Sequence, residues 1–412
     1  MTVRTGGAAS SVQASPDVSD SFSVHGVSAL QARTWRRLAA RHGTPLLVLD
    51  VAQVRSQYRR LTGALPGVKM FYAVKAFPHP AVITTLAEMG CHFDLASSGE
   101  VQLMRDSGVD ATRCLHTHPI KSDKEIVSAL AFGCTRFVAD NEVEIRKLAR
   151  YRDKLEILLR VSFPNPGARC DLSKKFGCTP AAVGSLLELA ASLKLNVAGF
   201  SFHAGSQVTG PEMHVHAINQ CVQLLGTYSD YANGSLRTLD IGGGFPADYD
   251  CSGFDIHGFC GPIREALSML PRGISVIAEP GRFLVASSGT ALASVIGHTV
   301  RGGKPWYYLD DGIYGSYNGI VTEGARYPLV PLDGEGDLQP SVLAGPTCDS
   351  FDVLSDELPL PALKVGDLIV GLVMGAYTHS TATTFNGLPA AQVLVRGQSD
   401  LARRRAKASR AG

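Results

Sequence analysis

Lys75 closes the apolar run Val68-Lys69-Met70-Phe71-Tyr72-Ala73-Val74, and it is the first residue of this chain equipped for covalent chemistry. Its amine can condense with a carbonyl, which is how a lysine anchors an aldehyde cofactor, and burial at a strand end favours the neutral, nucleophilic form. A solvated lysine is the plain alternative. Gly242-Gly243-Gly244 ends a second apolar run, Leu239-Asp240-Ile241, where three glycines let backbone N–H groups approach a phosphate closely. The spacing departs from the G-x-G-x-x-G dinucleotide fingerprint, and a bare turn would look the same. Glu279-Pro280-Gly281-Arg282 ends a third run with a carboxylate and a guanidinium. A carboxylate placed there can keep a ring nitrogen protonated, which strengthens that ring as an electron sink; an ordinary Glu–Arg surface pair is the other reading.

His203, within Ser201-Phe202-His203-Ala204-Gly205-Ser206, offers an imidazole able to stack on a flat ring and, at Ser206, a hydroxyl able to bind phosphate. A satisfied core histidine is the alternative. Gly345-Pro346-Thr347-Cys348-Asp349-Ser350 sets a thiol beside a carboxylate. The thiol can deliver a proton to a carbanion and the carboxylate can hold a cation, against the reading of Cys348 as a buried structural thiol. Tyr377 has a phenol for either a phosphate or the core. His116 and His118, like His214 and His216, are i, i+2 pairs with no third ligand nearby in sequence, so no metal is expected.

These groups need a frame, and the middle of the chain supplies a regular one. Apolar runs at 68–72, 92–95, 113–117, 136–139, 155–161, 197–203, 238–241 and 275–278 read as strands, with amphipathic stretches at 81–89, 99–106, 123–131, 142–150, 181–193 and 211–228 between them. Eight strands, each followed by a helix, is the count of a closed (β/α)8 barrel, in which residues at strand C-termini share one mouth. An open doubly wound sheet is the alternative. After residue 283 the segments 292–298, 306–309, 341–343, 368–372 and 392–395 are short, β-rich and broken by Gly, Pro and Asp. The expected organisation is therefore α/β. It has a flexible arm over 1–25, a first part of a β domain over 26–50 with a strand at 45–49, the barrel over 51–283, the rest of the β domain over 284–398, and a basic tail over 399–412.

Composition narrows the class. With 45% hydrophobic and 18% charged residues and a net charge of +2, the chain reads as a soluble globular protein without an electrostatic bias toward nucleic acid. Arg403-Arg404-Arg405-Ala406-Lys407 lacks the interleaved aromatics of a nucleic-acid contact and reads as a solvated tail. No run of about 18 apolar residues exists, so a membrane is not an expected partner. The first residues lack an apolar signal core, and nine cysteines form no C-x-x-C pair. Reduced, mostly buried thiols in a cytoplasmic enzyme are the expectation.

Order along the chain adds more than any one motif. Tyr-Ala-Val-Lys, Phe-Asp-Leu-Ala-Ser, Ser-Lys-Lys-Phe-Gly, Ser-Phe-His-Ala-Gly-Ser, Leu-Asp-Ile-Gly-Gly-Gly-Phe-Pro, Ala-Glu-Pro-Gly-Arg, Asp-Asp-Gly-Ile-Tyr-Gly-Ser-Tyr-Asn, Gly-Pro-Thr-Cys-Asp-Ser and Gly-Ala-Tyr-Thr follow one another from about residue 44 to residue 390. In this the chain resembles the ornithine/lysine decarboxylases, the alanine racemase-like fold-type III class that uses pyridoxal 5'-phosphate. The resemblance implies Lys75 as the Schiff-base lysine, Glu279 as the partner of the pyridine nitrogen and His203 as the imidazole stacked on the ring. It assigns the phosphate to Ser206, Gly243, Gly244, Arg282 and Tyr377, and further barrel positions to Asp94 and Arg160. Lys175 matches a lysine that pairs across a dimer. Cys348 is similar to the proton-donating cysteine and Asp349 to the carboxylate that meets the distal amine, both reaching the partner subunit's site, so a homodimer with shared active sites is implied.

Counting forward from Asn318 puts Glu323 at a second substrate-binding position, one methylene longer than the family's aspartate, with Arg326 placed to neutralise it or to bind an acidic group. The reaction expected is decarboxylation of a basic L-amino acid. L-ornithine comes first, L-lysine second and a specialised pathway amino acid third. A racemase on the same fold and a non-catalytic, regulator-binding relative are the remaining readings.

Overall fold

The computed structural model describes residues 27–164, 168–170, 173–233 and 235–398; the expected arm at 1–25 and basic tail at 399–412 lie outside them. β1 (Leu46–Asp50) comes first, followed by β2 (Lys69–Ala73), β3 (His92–Leu95), β4 (Cys114–His116), β5 (Arg136–Ala139) and β6 (Glu156–Arg160). After them come β7 (Ala168–Cys170), β8 (Val197–Ser201), β9 (Ser206–Val208), β10 (Thr238–Asp240) and β11 (Ser275–Ala278). Eight of these close a barrel in the order β10-β11-β2-β3-β4-β5-β6-β8. All neighbours in it are parallel. They are the eight strands read from the sequence, while β7 and β9 form a small antiparallel ladder beside the barrel.

Alternation along each strand explains the closure. Phe71, Leu115, Val138, Leu158, Ala198 and Ile277 point inward and fill the barrel as one cluster. Their strand neighbours, among them Met70, Tyr72, Phe137, Ile157 and Leu159, point outward and pack into the larger core under the helices. Local signals set the helix ends. Asp123–Phe132 begins with a capping box between Ser122 and Glu125 and stops at Gly133 in the left-handed conformation, and Pro80 opens the first turn of Pro80–Glu88. Among the described residues no helix is long and apolar enough to cross a membrane.

The second domain is mostly β. Its strands are β12 (Gly289–Arg301), β13 (Lys304–Leu309), β14 (Leu329–Pro331), β15 (Glu335–Ala344), β16 (Val353–Ala362), β17 (Leu368–Gly371) and β18 (Gln392–Arg396). They form one sheet in the order β14-β17-β12-β13-β15-β16, and β1 joins it by pairing antiparallel with β12 and parallel with β18. The N-terminal segment thus completes a sheet built from the C-terminal third. Two features depart from the expectation. Residues 26–50 also contain a helix, Ala29–His42, started by the capping box Ser28/Gln31, and β16 runs through Pro359 and Pro361. β16 is the outer strand of its sheet, the position in which prolines are tolerated.

The two domains are clamped together at the barrel mouth. The Tyr377 N–H donates to the carbonyl of Ala76, next to Lys75, over 3.0 Å, and the Gly375 N–H donates to Ala286 over 2.9 Å. The approach at Gly375 is so close that a Cβ there would stand 1.8 Å from the Val285 carbonyl oxygen.

Candidate active site

Lys75 occupies the 3-10 turn Val74–Ala76, directly after β2. The adjoining strand β3 brings buried Asp94 to 3.9 Å from its Nζ, and the Thr117 hydroxyl donates to the other Asp94 oxygen. Burial pulls the Lys75 ammonium toward the neutral form. The carboxylate of Asp94, followed by Tyr377, Glu279 and Glu100, outweighs it and raises the pKa above the ordinary lysine range. The expected neutral amine is therefore corrected: the side chain is 46% exposed to the cavity, and the carboxylate beside it prevails over burial. Asp94 is itself pushed up to about 7, first by burial and then by Glu279, against the pull of Lys75, Thr117 and Arg160.

Glu279 follows β11 and lies 7% exposed, with no hydrogen-bond partner for Oε1. Burial and the neighbouring Asp240 carboxylate on β10 hold its carboxyl well above the usual range. Asp240 is raised less, to about 6, because burial is partly offset by Glu279 and by the Gly242 N–H, which donates to it over 2.9 Å. His203 accepts from the Gly205 N–H at Nδ1 over 3.0 Å, and burial, Arg160, Lys75 and His214 hold it neutral. A Cβ on Gly243 would stand 2.7 Å from the Glu279 carbonyl oxygen and 3.1 Å from His203 Nε2. One on Gly244, at φ +105°, would stand 2.5 Å from the Gly205 oxygen, so the chain can fold back here only as glycine.

Arg282 is buried in the same mouth. Its Nη1 donates to the Tyr249 hydroxyl over 2.7 Å, and its Nη2 donates to Ser206 Oγ over 3.1 Å and to the Glu323 carboxylate; Nε has no partner. The guanidinium carbon stands 4.7 Å from the Tyr377 ring centre. Glu323, at the end of the short helix Gly319–Glu323, pairs with Arg282 rather than with the exposed Arg326, so of the two roles open to Arg326 neutralising Glu323 is not the one seen. Arg160 and Lys175 flank the Phe176 ring, at 5.4 and 5.0 Å from its centre.

One cavity of about 300 Å³ gathers Lys75, Arg160, Lys175, His203, Ser206, Gly243, Gly244, Glu279, Arg282, Glu323 and Tyr377, with Asp94 behind Lys75. Cys348 and Asp349 are not among its walls. They sit on the loop between β15 and β16, where the Cys348 N–H and Sγ face Asn386 Oδ1 at 3.1 and 3.4 Å and the Tyr314 hydroxyl donates to Asp349. Cys348 and Cys251 are exposed, whereas Cys91, Cys114, Cys134, Cys178, Cys221 and Cys260 are buried. Sequence reasoning passed over Thr117, Asp240, Glu100 and Tyr249. Asp240 lay inside a motif already singled out, whereas nothing local marks Tyr249, whose role comes from a contact with Arg282, 33 residues away.

Comparison with known proteins agrees with this geometry. The family described as pyridoxal-dependent decarboxylase, pyridoxal binding domain, matches residues 51–286. A lysine/ornithine decarboxylase of Selenomonas ruminantium is 35% identical over 89% of this chain and 93% of its own length. The ornithine decarboxylase of Mus musculus is 36% identical over 82% of this chain and 78% of its own. Crystal structures of a lysine/ornithine decarboxylase from Vibrio vulnificus share 47% identity and cover 90% of this chain. The putrescine complex has a TM-score of 0.86 over 99% of its chain, and the cadaverine complex 0.87 over 100%.

Proposed function

We propose a reaction for this chain on one premise: it belongs to the pyridoxal-dependent decarboxylase family. It is a pyridoxal-phosphate-dependent carboxy-lyase acting on a basic amino acid. The substrate we assign is L-ornithine, converted to putrescine and CO2, with L-lysine to cadaverine as the second reading, since relatives bear both names. The observation that carries the assignment is the convergence of Lys75, His203 and the Glu279–Arg282 pair, from three separate strand ends, on one cavity.

The residues fit the cofactor. Glu279 Oε1 and Arg282 Nε are buried without partners, one suited to a protonated ring nitrogen and the other to a phosphate oxygen. Gly243 and Gly244 line the cavity with bare backbone, packed so closely on the Glu279 and Gly205 carbonyls that no Cβ fits. Ser206, Gly243, Gly244, Arg282 and Tyr377 would hold the phosphate, Lys75 the aldehyde carbon, Glu279 the ring nitrogen and His203 a ring face, with Asp94 and Arg160 beside them. When bound, pyridoxal phosphate supplies an electron sink for the carbanion left as an α-carboxylate departs as CO2.

The chain's own groups do the rest. Asp94 keeps a proton at Lys75 Nζ, ready for exchange between that amine and the substrate's amine. Cys348 supplies the proton that Cα takes up, and Asp349 and Glu323 receive the distal ammonium. The family resemblance assigns Cys348 and Asp349 to the cavity of a second copy, and their place outside the Lys75 cavity of their own chain is consistent with such a homodimer. Glu323 reaches one methylene farther than an aspartate, which shortens the far end and suits ornithine better than lysine. Mostly buried thiols support a cytoplasmic setting.

The test is CO2 release by purified protein with pyridoxal phosphate against L-ornithine, L-lysine, L-arginine, meso-diaminopimelate and L-2,4-diaminobutyrate. The expected outcome is the highest kcat/KM with L-ornithine. A higher value with L-lysine selects the second reading, and no release from any of them overturns both.

A further inference from the structure

Arg282 is 5% exposed, and a guanidinium so buried needs an anion beside it. Two of its partners, Tyr249 and Ser206, are neutral hydroxyls. The anion is Glu323, whose carboxylate takes one of the two Nη2 protons. That nitrogen also carries Ser206 Oγ, which the reading above assigns to the phosphate, so a phosphate seated on Ser206 and on the free Nε meets Glu323 there. A phosphate dianion and a carboxylate on one nitrogen repel each other strongly in a site closed to water. Glu323 has somewhere to go: its side chain is 19% exposed, stands at the last residue of a five-residue helix, and already lines the cavity.

We propose that Glu323 is a resident counter-anion of Arg282 that the cofactor's phosphate displaces, so that filling the phosphate site turns the Glu323 carboxylate into the cavity. The inference rests on the assignment of Arg282 to the phosphate. Its consequence is a coupling between two ligands. A cationic side chain that engages the released carboxylate keeps it off Arg282, so the cation and the phosphate strengthen each other's binding. Glu323 then acts on the cofactor only through Arg282, as a positioning residue, and its charge opposes cofactor binding until a cation arrives.

The experiment is equilibrium binding of pyridoxal phosphate and of phosphate-free pyridoxal to the apoprotein, for wild type, Glu323→Gln, Glu323→Ala and Arg282→Ala. With Glu323→Gln, pyridoxal phosphate is expected to bind roughly tenfold more tightly, the scale of one like charge removed, while pyridoxal is unchanged. Glu323→Ala repeats the measurement with no polar group in that place and covers a failure of the amide variant to fold. Unchanged or weaker pyridoxal phosphate binding in both Glu323 variants overturns the inference, as does an equal gain with pyridoxal. Arg282→Ala separates the two ideas. If it leaves pyridoxal phosphate binding untouched, the phosphate assignment fails; if it weakens that binding while the Glu323 variants gain nothing, only the counter-anion role fails.

Discussion

Changing Asp94 to asparagine isolates the force that keeps Lys75 charged. The two groups are 3.9 Å apart. At that distance a unit charge pair is worth about 4 kcal/mol at an effective dielectric of about 20 and about 1 kcal/mol in water. Lys75 is 46% exposed, so solvent screening puts the value toward the lower end, roughly 1–2 kcal/mol, or about one pH unit. With the Asp94 carboxylate gone, burial, which acts in the opposite direction, is opposed only by Tyr377, Glu279 and Glu100. The asparagine keeps a carbonyl oxygen for the Thr117 hydroxyl, so the strand pairing is undisturbed. The assay is the rate at which the apoprotein's lysine combines with pyridoxal phosphate, trapped with borohydride and followed against pH, with Lys75→Ala as blank. Since Asp94 titrates at about 7, the comparison is made above that pH, where its charge is complete. The midpoint of the rate profile is expected to fall by about one pH unit. A midpoint that stays or rises refutes the electrostatic account of Lys75.

Two further outcomes can be checked independently. His116 is fully buried against Phe137 with both ring nitrogens unpartnered, and burial, then Lys121, lowers its pKa to about 3. Its contribution is therefore complete above the unfolded value near 6.5 and is lost as pH falls toward 3. His116→Leu is expected to remove about 2 kcal/mol of the stability difference between pH 7 and pH 5, and an unchanged Tm difference between those conditions counts against it. If Cys348 serves the partner's cavity, mixing inactive Lys75→Ala and Cys348→Ala proteins restores up to about a quarter of wild-type turnover, because half the dimers carry one intact site of two. No recovery after verified subunit exchange rejects the shared site.

How much of this was legible depended on whether the signal was local. The eight barrel strands show in the sequence because each is a short apolar run closed by a helix-period stretch, and the match of 136–139 and 275–278 is residue for residue. β16 did not show, because Pro359 and Pro361 read as breaks until its place at the sheet edge is known. The helix Ala29–His42 was legible in principle from Ser28 and Gln31, but the strand that follows it drew the whole segment to the β domain. In the site, residue types at strand ends were legible, and partnerships between them were not. Lys75 and Asp94 lie on adjacent strands, so nothing in the Lys75 run says that a carboxylate rather than burial sets its charge. Glu323 could be counted into the site from Asn318, but its choice of Arg282 over Arg326 depends on where a five-residue helix docks.

The division of labour between the two domains follows from that docking. Strand ends of a closed barrel hold side chains in a fixed ring, which suits groups that must meet a rigid, flat cofactor in one orientation. In the proposed function the groups that face the far end of the substrate come from Gly319–Glu323 and from the β15–β16 loop, both in the β domain. Tyr377 binds that domain to the turn carrying Lys75 and Gly375 binds it to the segment that follows Arg282, so these elements are held to the barrel's residues without being part of the barrel. Arg282 is where the two sets meet, donating to Ser206 of the barrel and to Glu323 of the β domain through one nitrogen. A change in Glu323 that alters substrate preference is therefore also a change in the environment of Arg282. With Glu323 on the substrate and Arg282 on the phosphate, as proposed, substrate choice and cofactor retention are not independently adjustable.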